Sequence, residues 1–377
     1  MISDSLLERL ACPVCLEGEP RVLDDDAYRQ RMRSGDPDKV PLERSGDGLR
    51  CPVCATAYPI HAEAGYVDLV PRRRVGDVTR YADHEFHERL GVVDAPPLLS
   101  ARVRADMMWR MLGLEDEGRP EVLDLGCGAG KLALFCAGRG ARAAGVDVAP
   151  FFLARATREV ELVLGDLRRL PFRKGSFPRA YSLDVLEHLD EEGVREVLLE
   201  ARRVLGPAGR LFVYTHAMES SRIAGFQRAV NRFARHLGER GLIDSEREAM
   251  RKSDHVNAIR SHEHFEELCA GAGLYVADRR YYNVLFKAVI EDVLLRLFEQ
   301  WRRKRHPSAH ESVPEDHRAP APGSHVTVGA PPPPRWQLAV ASALTWLLKL
   351  DVVLFGGVRT GPFFGLLRPV PARPDTR

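Results

Sequence analysis

Two short cysteine pairs stand near the start of the chain. Cys12-Pro13-Val14-Cys15 and Cys51-Pro52-Val53-Cys54 are identical and separated by 35 residues. Each C-x-x-C turn points two sulfurs the same way, so the two pairs suit four thiolates around one tetrahedral zinc ion; two independent redox pairs are the alternative. A second chemistry-bearing stretch is Asp124-Leu125-Gly126-Cys127-Gly128-Ala129-Gly130, set between an apolar run and a helical period. Glycines there let backbone approach a ligand closely, and the helix start offers free N–H groups. Such a loop alone does not separate a dinucleotide from another adenosine ligand. Asp147 ends the next apolar run, 17 residues after Gly130. A carboxylate there can take both hydroxyls of a ribose, or else cap the helix ahead of Pro150.

The elements that must hold these residues follow the βαβ pattern of a parallel sheet. Strands are expected at 121–125, 143–147, 162–166, 180–183, 209–214 and 274–278, with helices at 131–139, 191–205 and 265–272. Cys127, Cys136 and Cys269 read as small core residues, or for Cys127 as a turn residue. The stretch between the knuckles carries Asp24-Asp25-Asp26 and Arg29-Gln30-Arg31-Met32-Arg33 and reads as a solvated loop without a core of its own.

Glu121–Gly130, Gly165-Asp166-Leu167-Arg168-Arg169-Leu170-Pro171-Phe172, Ser182–Leu189 and Leu205–Leu211 occur in an order and spacing that resembles a class I S-adenosylmethionine-dependent methyltransferase of the type-11 subgroup. The resemblance covers about residues 80–280. It implies that Gly126 and Gly128 line the methionine moiety, that Asp147 holds the ribose, and that Asp124, Cys127, Gly130 and Val148 belong to the same cofactor site. Asp166 and the Leu167 amide would read the adenine, and backbone near Leu183 would meet the amino group. His188 is the candidate base if the acceptor is a hydroxyl. Family members carry Phe-Asp before the fourth strand where this chain has Phe177-Pro178, which keeps a non-catalytic cofactor-binding adaptor open. Asp184-x-x-Glu187-His188 is also similar, with Asp for Glu, to the E-x-x-E-H metal motif of quinone-precursor and small-RNA methyltransferases, with His264 as a further ligand. The run Leu6–Cys15 with Cys51–Ile60 and Tyr66–Pro71 is similar to the zinc-ribbon activator subunit of tRNA and rRNA methyltransferases, and implies structural zinc on Cys12, Cys15, Cys51 and Cys54.

The expected fold is α/β: a doubly wound, Rossmann-like seven-stranded sheet with a small N-terminal zinc ribbon and a helical C-terminal insertion. The expected parts are a ribbon at 5–71, a cofactor-binding domain at 80–283, an insertion at 284–358 with a Pro-rich linker at 307–334, and a closing strand and tail at 359–377. With 55 basic and 53 acidic side chains the net charge is +2, which lacks the basic excess of a nucleic-acid binder. Residues 336–348 are uncharged for only 13 positions before Lys349 and Asp351, too few to span a bilayer. The two apolar helical segments of 284–358 are read as a roof over the site or a peripheral membrane contact, which favours a small-molecule or lipid-like acceptor. RNA docking through the ribbon is the alternative. Met1–Arg21 shows no secretory pattern, so a cytoplasmic place, peripheral at the inner membrane face, is expected.

Overall fold

The computed structural model describes residues 2–35, 37–71, 94–219, 224–243, 255–282, 286–297, 300 and 335–371. The Pro-rich stretch 307–334 lies outside them. The N-terminal part folds as strands β1 (Ala11–Leu16), β2 (Lys39–Pro41), β3 (Glu43–Ser45), β4 (Gly48–Arg50), β5 (Ala57–His61) and β6 (Tyr66–Asp68). Seven more follow: β7 (Glu121–Leu125), β8 (Arg142–Asp147), β9 (Glu161–Leu164), β10 (Arg179–Leu183), β11 (Arg210–His216), β12 (Leu274–Tyr281) and β13 (Pro362–Pro369). The main sheet runs β12-β13-β11-β10-β7-β8-β9-β6-β5-β4-β3.

The sheet therefore has eleven described strands, not seven. Residues 121–369 supply seven of them, and the cysteine module adds four at one edge, where β6 pairs parallel with β9. A parallel edge strand offers unpaired N–H and C=O groups, and β6 satisfies them. The cysteine module and the central sheet thus share one continuous ladder.

Successive residues of a strand face opposite sides, so the buried run at 122–125 serves two layers. Leu123 and Leu125 join Val194, Val197, Leu198 and Ala201 of helix Glu191–Leu205 on one side. Val122 joins Val103, Met108 and Leu112 of helix Leu99–Leu112 on the other. Asp190 caps helix Glu191–Leu205 by accepting the Gly193 N–H at 2.8 Å. β12 and β13 form an antiparallel pair whose register ends at Tyr281 and Phe363, so the chain between them leaves and re-enters the sheet there.

The expectation of a solvated inter-knuckle loop is overturned. Asp24 caps helix Asp25–Ser34, and the helix buries Tyr28 and Met32 one turn apart. Its arginines face acid on the neighbouring helix: Arg29 meets Glu196 at 3.0 Å, and Arg33 pairs with Glu192. Beneath them Lys39 is fully buried, its Nζ 3.1 Å from Glu200. A stretch that reads as solvated is a charged interface.

Helix Arg335–Phe355 is longer than its uncharged stretch. Lys349 pairs with Asp106 at 2.7 Å, and buried Asp351 accepts the Phe286 N–H at 3.3 Å. Neither charge interrupts the outer face, where Trp336, Val340, Trp346, Val353 and Leu354 are each more than half exposed. Among the described residues, Trp336–Phe355 is the one helix long and apolar enough to cross a membrane by length and composition. It is also tied to the fold, since Thr345 accepts the Leu99 N–H at 2.9 Å and Gly356 accepts the Tyr281 N–H at 2.8 Å.

Candidate functional site

The strand order reverses between β7 and β10, and an open α/β sheet forms its ligand crevice at the carboxyl ends beside such a point. The loops after β7 and β10 touch there. Gly126 has φ +82°, and a Cβ on it would stand 2.5 Å from Val185 Cγ2. Gly130 has φ +80°, and its Cβ would stand 2.7 Å from Ala156 Cβ. Both positions thus require glycine for conformation and for space. The Gly126 and Cys127 N–H groups donate to the Val146 carbonyl at 2.9 and 3.1 Å, which fastens the loop to β8.

Asp147 stands at the junction. Its carboxylate accepts the Gly128 N–H at 2.7 Å and the Ala149 N–H at 3.0 Å, with half-buried Val148 beside it. Burial raises its carboxyl above the usual range. Asp124 is buried and accepts the Tyr181 hydroxyl at 3.0 Å. Burial first, and the Asp147 charge in addition, push its carboxyl up to about 8.

Asp166 opens the turn Leu167–Arg169 after β9 and accepts the Arg168 N–H at 2.9 Å. The Arg168 guanidinium forks onto the same carboxylate at 2.9 and 3.0 Å. The side chain assigned to adenine is thus engaged by its own loop, with Leu167 half-buried next to it.

After Leu183 the chain turns sharply. Asp184 has φ +56°, a left-handed conformation unusual for a side chain with a Cβ. Its carboxylate lies 3.1 Å from Arg104, whose guanidinium covers the Tyr214 ring at 5.1 Å. Arg104 comes from helix Leu99–Leu112, between the cysteine pairs and the glycine loop, and nothing in its spacing marks it. Glu187 is buried, accepts the Thr215 hydroxyl at 3.3 Å and lies 3.6 Å from His216 Nδ1. His188 is half-buried, its ring edge-on to His255 at 4.8 Å between centroids.

The structure rearranges the metal motif read from the sequence. Asp184 is paired with Arg104, and His264 is held by Arg260 at 2.9 Å and lies 3.4 Å from Glu191. Neither joins Glu187 and His188; His255 does.

Pro178 lies at the other end of its strand. Its carbonyl accepts the Arg210 N–H at 3.2 Å, and β10 starts at the next residue. Five strand residues at ~3.3 Å each separate it from the crevice, so the departure from Phe-Asp leaves the cofactor loops untouched.

The sulfurs of Cys12, Cys15, Cys51 and Cys54 lie within 4.8 Å of one another, though the pairs come from different ends of the module. Tyr58 and Thr56 hydroxyls surround them at 3.3 and 3.2 Å. The Cys15 hydrogen bond holds Cys12 down at about 5, while burial pushes Cys51 up to about 11. Such a cluster carries one negative charge readily and resists a second, which is the condition a divalent cation relieves. The donor set fits zinc. Cys127, Cys136 and Cys269 are buried singly elsewhere.

Residues 122–209 match a family described as a methyltransferase domain. Over 110 residues the chain is 32% identical to the sterol 4-C-methyltransferase strm-1 of Caenorhabditis elegans, covering 27% of this chain and 32% of that protein. Over 135 residues it is 27% identical to the 18S rRNA (guanine-N(7))-methyltransferase of Mus musculus, covering 34% and 45%. The chain thus spans less than half the length of either relative. A solved phosphoethanolamine N-methyltransferase 2 of Haemonchus contortus with S-adenosyl-L-methionine aligns over 80% of this chain and 60% of its own, at 15% identity and TM-score 0.46. The segment from β7 to the turn before β11 is the part that matches the methyltransferase-domain family, in a chain that adds a cysteine module at the sheet edge and a helical excursion between β12 and β13.

Proposed function

We propose that this protein is an S-adenosylmethionine-dependent methyltransferase acting on a small or lipid-like acceptor. The observation that carries the reading is the coincidence of the methyltransferase-domain match with the crevice: the Gly126–Gly130 loop, Asp147 and Leu183 all lie within residues 122–209 and border one switch point. The cofactor supplies an activated methyl group on a sulfonium, and in-line placement of the acceptor is the main task left to the protein. Asp124 offers a carboxylate to an ammonium, Asp147 offers one to the ribose, and His188 stands ready to take a proton from a hydroxyl acceptor. The lipid-like part rests on the apolar outer face of helix Arg335–Phe355, which suits contact with a membrane surface. The sterol methyltransferase among the relatives is consistent with such an acceptor.

Incubating cell extract with methyl-labelled S-adenosylmethionine and partitioning the product tests this. Label is expected in the organic phase, and less of it with Trp346→Asp. Label confined to RNA overturns the acceptor assignment, and cofactor binding with no transfer to any fraction overturns the enzyme.

Cofactor affinity should also depend on pH. A raised carboxyl stays protonated below about 8 in the free protein, and a bound ammonium favours its ionised form. Binding is then expected to strengthen as pH rises from 6 toward 8, with proton release, and to lose this dependence in Asp124→Asn. The ligand amine itself deprotonates near 7.7–8.0, so the comparison with the variant is the decisive reading in calorimetry. Equal slopes would remove Asp124 from the site.

Structural zinc on Cys12, Cys15, Cys51 and Cys54 belongs to the same reading. Strong chelation, or Cys51→Ser, is expected to lower the thermal midpoint of the whole chain and not only of residues 5–71, because β6 completes the ladder of β9. Differential scanning calorimetry before and after chelation measures this. An unchanged midpoint with the metal stripped would show that the cluster bears no load.

A further inference from the structure

We infer that helix Ala224–Glu239 docks on an anionic membrane surface, with Phe226 and Phe233 entering the lipid and Arg228, Arg232 and Arg235 meeting its phosphates. The inference deepens the lipid-like reading above, and rests on it, by naming the charge of the surface on which the acceptor is met. The helix lies in the excursion between β11 and helix His262–Gly271. Its inner face is fixed by the fold: Val230, Ala234 and Leu237 pack with Ile243, Val293 and Leu297. Val293 belongs to the helical turns Ile290–Leu295 after β12, where Ile290 joins Leu348 and Val352 of helix Arg335–Phe355 in one core. The excursions after β11 and after β12 therefore meet in one helical assembly.

What this assembly leaves outward is apolar. Phe226, Phe233 and Leu242 are exposed on the first excursion, and Leu294, Trp346 and Val353 on the second. A single exposed apolar side chain is ordinary, but a series of them on adjoining helices marks a contact surface. The charge beside it selects the partner. Arg228, Arg232 and Arg235 recur at i, i+4 and i+7, so they share one face of the helix. All three are exposed, and among the described residues none has an acidic partner. Glu239, the one acid of the helix, lies 3.9 Å from His236. Phe226 and Phe233 fall between the arginine row and the buried row, the order of a helix lying in a lipid headgroup layer. A second copy of the chain would set the same arginines against each other across a two-fold axis, so a dimer interface fits worse.

Flotation of the full chain with vesicles, with no methyl donor present, tests the surface apart from the enzyme reading. Vesicles of phosphatidylcholine alone are compared with vesicles of phosphatidylcholine and phosphatidylglycerol in equal parts. Wild type is expected on the mixed vesicles, released as salt rises, and scarcely on the neutral ones. Arg228→Gln with Arg232→Gln and Arg235→Gln should weaken binding to the mixed vesicles on the order of 100-fold, about fivefold for each arginine. Phe226→Ser with Phe233→Ser should weaken it by about tenfold or more. Thermal midpoints of both variants should stay at the wild-type value, because the changed side chains are exposed. Equal binding to both vesicles, undiminished binding of the arginine variant, or tighter binding to RNA than to the mixed vesicles overturns the surface. So do concentration-dependent dimers in place of vesicle binding. Organic-phase label from an enzyme that binds no vesicle would remove this surface and leave the acceptor reading standing.

Discussion

Asp147→Ala is expected to weaken S-adenosylmethionine binding by about 100-fold or more, since a hydrogen bond to a charged acceptor contributes about 1.5–3 kcal/mol and a ribose offers two. The same change removes the acceptor of the Gly128 and Ala149 N–H groups, so it also loosens the glycine loop from the turn after β8. The two effects can be separated. Asp147→Asn keeps an oxygen for one of those amides and should retain more stability than affinity. Calorimetry with the donor and with its demethylated product, set beside thermal midpoints of both variants, tests the assignment. Binding within threefold of wild type in a folded Asp147→Ala would remove the ribose role. A loss that followed the midpoint alone would make Asp147 a loop fastener.

The contrast between Asp147 and His255 shows how far the sequence carries. The crevice was legible because its parts are local: a buried strand, a glycine turn and a carboxylate at the next strand end lie within 27 residues, from Glu121 to Asp147. Each has a backbone reason for its residue type. His255 has none. It follows a stretch without periodicity, and the amide contacts of Val256 and Asn257 with Glu187 bring it to His188. Arg104 is similar, an arginine on an ordinary amphipathic helix until the fold sets it against Asp184. The inter-knuckle segment failed for another reason. Arg29 and Arg33 read as a solvated face because charge on a helix usually is one, and a pattern in a single segment cannot reveal that Glu192 and Glu196 wait on another. Local chemistry is written locally; charge complementarity between distant segments is written in two places and read only once they meet.

Glu200→Ala should test that complementarity, with an expected loss of about 3–5 kcal/mol in unfolding free energy, the cost of removing one partner from a buried ion cluster. Glu200 is 1% exposed. It accepts the Tyr28 hydroxyl at 2.6 Å and the Arg203 guanidinium at 2.7 Å, and lies 3.1 Å from Lys39 Nζ. Burial alone would raise its carboxyl, but Arg203 and Lys39 hold it below the usual range. Its contribution is therefore present above the unfolded value and lost as pH falls through the lower folded one. Removing the carboxylate leaves buried Arg203 facing Lys39, whose ammonium burial already holds down to about 7 and which then loses the charge that kept it protonated. Lys39 keeps the Leu170 and Pro13 carbonyls at 2.9 and 3.3 Å, and Arg203 keeps the Phe172 carbonyl at 2.6 Å with Asp38 3.9 Å away, so both stay in place with only that more distant carboxylate facing them. Tyr28 and Lys39 belong to the cysteine module and Glu200 and Arg203 to helix Glu191–Leu205 on the central sheet, so the loss should fall on their joint. Urea unfolding of wild type, Glu200→Ala and Lys39→Met with Glu200→Gln measures it. The double variant should recover much of the loss, because it removes the buried amine together with the anion. A Glu200→Ala cost below about 1 kcal/mol, the level of an exposed pair, would show that water reaches the cluster and that the buried charges do not hold the module.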